Sequence, residues 1–102
     1  MQLLKPVWVA QEGHPIFSID IHPDGDRFAT GGQGVDSGRI VIWNMKPILS
    51  KKDKENEPKL LCQMDNHLAC VNCVRWSHSG KILASCGDDK LVSNEKIMAK
   101  LL

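Results

Sequence analysis

An all-β architecture of stacked antiparallel sheets is predicted by three observations. The stretch from Ile16 to Trp43 holds three short runs rich in β-branched and aromatic residues: 16–21, 27–30 and 39–43. Turn chemistry separates them, first Pro23-Asp24-Gly25 and then a glycine-rich segment ending in Asp36-Ser37-Gly38, so they read as consecutive antiparallel strands. The same pattern recurs fifty-five positions on: Ile16 falls on Val71, Ile19 on Val74, Ile21 on Trp76, Gly25 on Gly80 and Gly32 on Gly87.

Each element follows from local chemistry. In the first run Ile19 and Ile21 share one face, and Asp20 and His22 the other. Three strands of this length cannot bury both faces, so the sheet needs a neighbour, and the second unit supplies it. Phe28-Ala29-Thr30 corresponds to Leu83-Ala84-Ser85. Self-similarity on this scale marks stacked supersecondary units, and about forty residues with about four strands per unit describes a β-propeller. The extra length lies in a loop from Lys46 to Lys59, which carries five lysines and three acids and reads as solvated. Pro47 closes the third strand, because proline cannot donate to a ladder. Leu60 to Met64 is the fourth strand, and Asp65-Asn66-His67 turns into the second unit. Val7, Trp8 and Val9 form a first-strand candidate that in a propeller would complete the last blade; otherwise it is a plain edge strand.

Composition narrows the function classes. One hundred and two residues allow one domain, and a net charge of +1 with 25% charged residues gives no basic bias toward nucleic acid. The amino terminus lacks the apolar core of a signal peptide, and no apolar run approaches membrane-spanning length. The four cysteines are expected as reduced thiols. His67, Cys70, Cys73 and His78 have spacing that resembles zinc ligands, but Cys70 and Cys73 flank the start of a strand, where residues three apart point to opposite faces. Neither a metal nor a cofactor is expected. Gly31-Gly32-Gln33-Gly34 precedes a strand, whereas a phosphate cradle needs a helix N-terminus. Asp88 and Asp89 read as turn residues, and no nucleophile elbow is present. Enzymatic activity is therefore not expected. Trp43 and Trp76 lie in apolar strands and read as core, with Trp43 expected to pack against the second unit.

These residues resemble WD repeats. The second unit carries His67, Val71, Val74, Trp76-Ser77, Ser79-Gly80 and Leu83-Ala84-Ser85 with Gly87-Asp88-Asp89; the first carries Ile19, Ile21, Pro23-Asp24-Gly25, Phe28 to Gly32 and Ile40 to Asn44. In that family a His, a Ser or Thr, an Asp and a Trp form a hydrogen-bonded network that locks each blade. The resemblance assigns His67, Ser85 and Asp89 to this network in blade two, and Thr30 and Trp43 in blade one. Glu12 stands at the usual His position of blade one and Ser37 at the usual Asp position. Such residues imply a fold and no chemistry.

The strings Pro15 to Gly25, Phe28 to Gly34 and Leu61 to Trp76 further resemble the HIRA histone-regulator family, from Met1 to Val92. Resemblance to that family implies a nuclear histone chaperone scaffold, which deposits a replacement histone outside DNA replication and contributes to transcriptional repression. Its implied partners are a ubinuclein-type subunit and other members of the histone chaperone complex, with chromatin engaged indirectly and neither membrane nor small-molecule substrate. Contacts with the anti-silencing chaperone and the calcineurin-binding partner are implied to use later regions. The expected organisation is an incomplete propeller of about one and a half blades, blade one over about 12–64 and a partial blade two over about 67–92. From Ser93 the pattern departs. The tail 93–102 reads as a truncated or alternatively spliced ending, with Ser93 or Asn94 capping a short helix whose apolar side is Ile97, Met98, Leu101 and Leu102. A generic cytoplasmic propeller scaffold unrelated to chromatin, or a small zinc-binding module, are the other two readings.

Overall fold

Seven strands form two antiparallel sheets in the computed structural model, which describes residues 8–35, 37–49, 58–87 and 92–96, the last of these by backbone alone. Blade one orders its strands β1 (Ile16–Ile21), β2 (Arg27–Gln33), β3 (Gly38–Asn44) and β4 (Leu60–His67) side by side. Blade two is β5 (Val71–Trp76), β6 (Ile82–Gly87) and β7 (Val92–Lys96). Each sheet follows chain order, as meandering hairpins require, and the two together are an unclosed part of a propeller.

The two repeated turns, Pro23-Asp24-Gly25 and His78-Ser79-Gly80, have the same geometry. His22 N–H donates to Arg27 O at 3.0 Å, and Gly25 N–H to His22 O at 2.8 Å. Ser77 N–H donates to Ile82 O at 2.7 Å, and Gly80 N–H to Ser77 O at 2.9 Å. Gly25 and Gly80 take φ of 74° and 76°, the left-handed conformation that closes a four-residue hairpin loop and favours glycine.

One apolar layer joins the blades. Ala29, Ile40 and Ile42 of blade one meet Val71, Val74, Trp76 and Leu83 of blade two, all buried. Gly31 is required there: a Cβ on it would lie 2.8 Å from both Val71 Cγ1 and Val74 Cγ1. The other face of blade one is covered differently. Phe28, Val41 and Trp43 form a second cluster beneath Trp8, Val9, Met45 and Ile48. Trp43 is thus buried, but on the face away from blade two rather than against it. Strand alternation fixes this: Trp43 stands opposite Phe28 and Val41 opposite Thr30 on one face, while Ala29, Ile40 and Ile42 take the other.

Four further expectations are corrected. Trp8 and Val9 are not a strand; they pack over the Trp43 cluster, with the Trp8 and Trp43 rings tilted at 49° and their centroids 5.6 Å apart. Leu3 to Val7 lie outside the described residues. The loop after β3 begins with a one-turn helix, α1 (Lys46–Leu49), whose Ile48 caps the Trp43 cluster; 50–57 lie outside the described residues. Asp65-Asn66-His67 continue β4 instead of turning, because Gly38 pairs with His67 and extends the ladder. Ser93 to Lys96 are strand rather than helix: they pair along β6 from Ser85↔Ser93 to Ile82↔Lys96. The backbone groups of β6 facing away from β5 need partners, and an extended tail satisfies them where a helix would not. Residues 97–102, where the apolar side of the expected helix lies, are outside the described residues.

Gly31→Ala should destabilise the chain by about 1–3 kcal/mol, because two stiff valines must move to admit one methyl. Urea unfolding of the variant beside the parent protein measures it.

Candidate functional site

The polar residues of this protein converge on two places: the seam between the blades and the outer part of each sheet. At the seam, Ser18, Asp20 and His22 alternate along β1 and just beyond it, so all three point toward blade two. Ser18 Oγ accepts from Val74 N–H at 3.1 Å and from Arg75 Nη1 at 3.2 Å. Asp20 Oδ2 accepts from Trp76 N–H at 2.8 Å, while the Trp76 indole Nε1–H donates to Asp20 O at 3.2 Å. His22 is buried, and its ring stands edge-on to Trp76 with centroids 4.7 Å apart. Its Nδ1 accepts from Asp24 N–H at 3.1 Å, so the proton resides on Nε2, which donates to Gly80 O at 2.8 Å. A Cβ on Gly80 would strike that ring.

The outer hydrogen-bond chains run through the expected Thr30 and Trp43. Trp43 Nε1–H donates to Thr30 Oγ1 at 2.9 Å, and Thr30 Oγ1–H donates to Gln11 Oε1 at 2.8 Å. Gln11 Nε2 then donates to Gln33 O at 3.2 Å. Gln11, not Glu12, therefore fills the place of the family's His in blade one. The turn dictates the exchange: Gln11 and His14 are bridged, and Glu12 and Gly13 occupy its tip with φ of 54° and 79°. Positive φ at both central residues is a type I′ turn, which leaves its flanking residues on the sheet and lifts its tip into solvent. Glu12 instead lies 3.5 Å from Arg39 Nη1. Ser37 sits in the β2–β3 turn, where its hydroxyl meets the Asp65 carboxylate. In blade two, His67 Nε2 lies 2.9 Å from Ser85 Oγ, both buried. Asp88 and Asp89 are outside the described residues.

Two ion pairs brace the strand ends. Arg39 Nε donates to Asp65 Oδ1 at 2.8 Å, joining β3 to β4, and this hydrogen bond holds the Asp65 carboxyl below its ordinary range and raises Arg39. Arg27 grips Asp26 through Nε at 2.7 Å and Nη2 at 3.0 Å, which likewise lowers Asp26.

Metal chemistry finds a single geometric opening among the described residues, His22 with Asp24 and Asp26. That cluster is already satisfied: Arg27 lies on both carboxylates and Asp24 N–H occupies His22 Nδ1. Cys70, Cys73, His67 and His78 do not converge as a ligand set. The eight buried polar side chains of the described residues, from Gln11 to Ser85, each have a hydrogen-bond partner within the protein. What remains open is apolar: Phe17, Ile19 and Ile21 on β1 are 55–57% exposed. The counterparts of Ile19 and Ile21 on blade two, Val74 and Trp76, are 0% and 8% exposed because blade one covers them. The arrangement is built to hold sheets together and to present a sheet face.

Thr30→Val should cost about 1–3 kcal/mol, since it strands the Trp43 indole N–H and the Gln11 carbonyl in the interior; Thr30→Ser should recover most of it. Denaturation of both variants measures the difference. For Asp65 the folded pKa is depressed, so its contribution is present above the ordinary carboxylate range and fades as pH falls through the depressed value. Its side chain is 41% exposed, so solvent screening keeps the effect small. Asp65→Asn should flatten the acid side of the stability–pH curve, as read by thermal unfolding across that range.

The comparisons with known proteins agree with this geometry. A model of the family "WD domain, G-beta repeat" matches residues 4–44 and 58–93. Over 94 residues the chain is 71% identical to Protein HIRA of Homo sapiens and 70% identical to that of Gallus gallus, in each case over 90% of this chain. Protein HIRA homolog of Drosophila melanogaster is 62% identical over 94 residues. The chain spans 9% of the length of each of these relatives. With both repeats matched and both blades formed, the chain belongs to the WD-repeat family and, within it, is an HIRA-type sequence.

Proposed function

We propose that this chain is a docking fragment of a nuclear histone chaperone scaffold, acting by protein–protein contact and carrying no catalysis. The observation that supports it most is 71% identity to human Protein HIRA over 94 residues, laid over a structure whose buried polar groups are spent on cohesion. In this reading the HIRA resemblance brings replication-independent nucleosome assembly and transcriptional repression as the process served. A ubinuclein-type subunit is the direct partner, and chromatin is engaged through it and through other members of the complex. Propeller scaffolds present partners with a surface to which several blades contribute. Two blades supply part of such a surface: the rims of the hairpin turns and the exposed apolar strip of β1.

The fragment should therefore bind a ubinuclein-type segment much more weakly than an intact HIRA propeller does. Titration of both proteins against the same segment, followed by calorimetry or fluorescence, measures the gap. A loss greater than tenfold, about 1.4 kcal/mol, is expected. Affinity within tenfold would place the whole docking site on these two blades and overturn the multi-blade reading.

A further inference from the structure

Cys73 and Cys86 are directly opposed across the β5–β6 ladder. Both are reduced thiols and both are half-buried. Their side chains share the face of blade two turned away from blade one, since Val74, Trp76 and Leu83, one residue out of phase, are the ones that pack on blade one. The ladder type follows from the seam. Val74 and Trp76 send their N–H groups to Ser18 and Asp20, away from β6, so Val74↔Ser85 and Trp76↔Leu83 are the non-hydrogen-bonded pairs. The Ser77 N–H bond to Ile82 O has the matching phase. Cys73↔Cys86 is then a hydrogen-bonded pair, with Cα atoms about 5.5 Å apart, inside the disulfide range of about 4.4–6.8 Å. Cβ atoms in such pairs stand about 5.5 Å apart, against about 3.5–4.5 Å in a disulfide, so the strands must draw together locally. The register shift between Val71 and Cys73 supplies slack next to the pair.

We propose that Cys73 and Cys86 form a reversible cross-strand disulfide, with a small-molecule disulfide such as oxidised glutathione as the oxidant. One protein thiolate attacks the oxidant, forming a protein–glutathione disulfide and releasing one glutathione thiolate. The second cysteine, deprotonated, then attacks the protein sulfur, forming the Cys73–Cys86 bond and releasing the second glutathione. Two protein thiols are oxidised, one glutathione disulfide is reduced to two thiols, and the two protons pass to the departing thiolates. The strained bond is readily reduced again by a thiol. Its position gives it a consequence. Blade one has Ser18 opposite Gly31 at the corresponding places, and Ser18 is the acceptor for Val74 N–H across the seam. Cys73 stands where blade two would receive a neighbouring sheet in the same way, so oxidation removes that sulfur from docking.

The full chain, kept native in a glutathione redox buffer, is alkylated and mapped by mass spectrometry. Reactive thiols should fall from four to two, with Cys73 linked to Cys86 and both restored by dithiothreitol. In urea the preference should move to Cys70–Cys73, the shorter loop. Cys73→Ser should retain all its other thiols apart from a mixed glutathione disulfide on Cys86. Four intact thiols, glutathione adducts without an internal bond, preferred linkage through Cys62 or Cys70 in the native chain, or an unchanged Cys73–Cys86 preference in urea would each overturn the proposal.

Discussion

The seam between the blades depends on β1 carrying polar side chains on one face and blade two turning its edge strand toward them. An edge strand leaves every second N–H without a ladder partner. Here Val74 and Trp76 are such edge residues, and both are buried. A buried N–H left unpaired costs about 1–3 kcal/mol, so the apolar layer of Ala29, Ile40, Ile42, Val71 and Leu83 could not close over β5 without acceptors. Ser18 and Asp20 supply them, at 3.1 Å and 2.8 Å. Apolar burial drives the sheets together, and the polar row selects the register in which they meet.

That division of labour explains the asymmetry between two similar sheets. Repeat architectures derive their stability from each unit and its contact with the next. Blade two has blade one over its Val74–Trp76 face, and those side chains are buried. The corresponding Ile19 and Ile21 face has no such cover among the described residues and is more than half exposed. Nearby, the same sheet face is closed by Trp8, Val9, Met45 and Ile48 over Trp43. The open strip and the closed cluster thus lie on one surface of blade one, and the docking role proposed for the chain rests on that open strip together with the turn rims.

Much of this was legible in the residues. Alternation in Ile19-Asp20-Ile21-His22 gives the two faces of β1, and Gly25 and Gly80 give identical turns. The strand pattern rightly put Trp43 in a core but wrongly put it against the second unit, because the face depends on which side the second sheet takes. Alignment to the family pattern put Glu12 at the position of the family's His. The Glu12-Gly13 turn tip, with its paired positive φ, was the available signal that Gln11 points inward. Ser93 to Lys96 lack strand-like composition; their strand is imposed by the ladder of β6, a tertiary effect that local propensity does not carry. The polar seam was half legible: Asp20 and His22 were placed on one face, while the acceptor role of Asp20 and the donor role of His22 needed the neighbouring blade in view.

Amide hydrogen exchange at Val74 and Trp76 tests the central claim most directly. Both N–H groups point away from β6, so in independent sheets they would exchange as edge amides. The account predicts strong protection at both, approaching that of the β2–β3 amides, and selective loss at Trp76 in Asp20→Ala with Val74 affected less. Fast exchange at Val74 and Trp76 in the unaltered protein, or protection of Trp76 that survives Asp20→Ala, would contradict it.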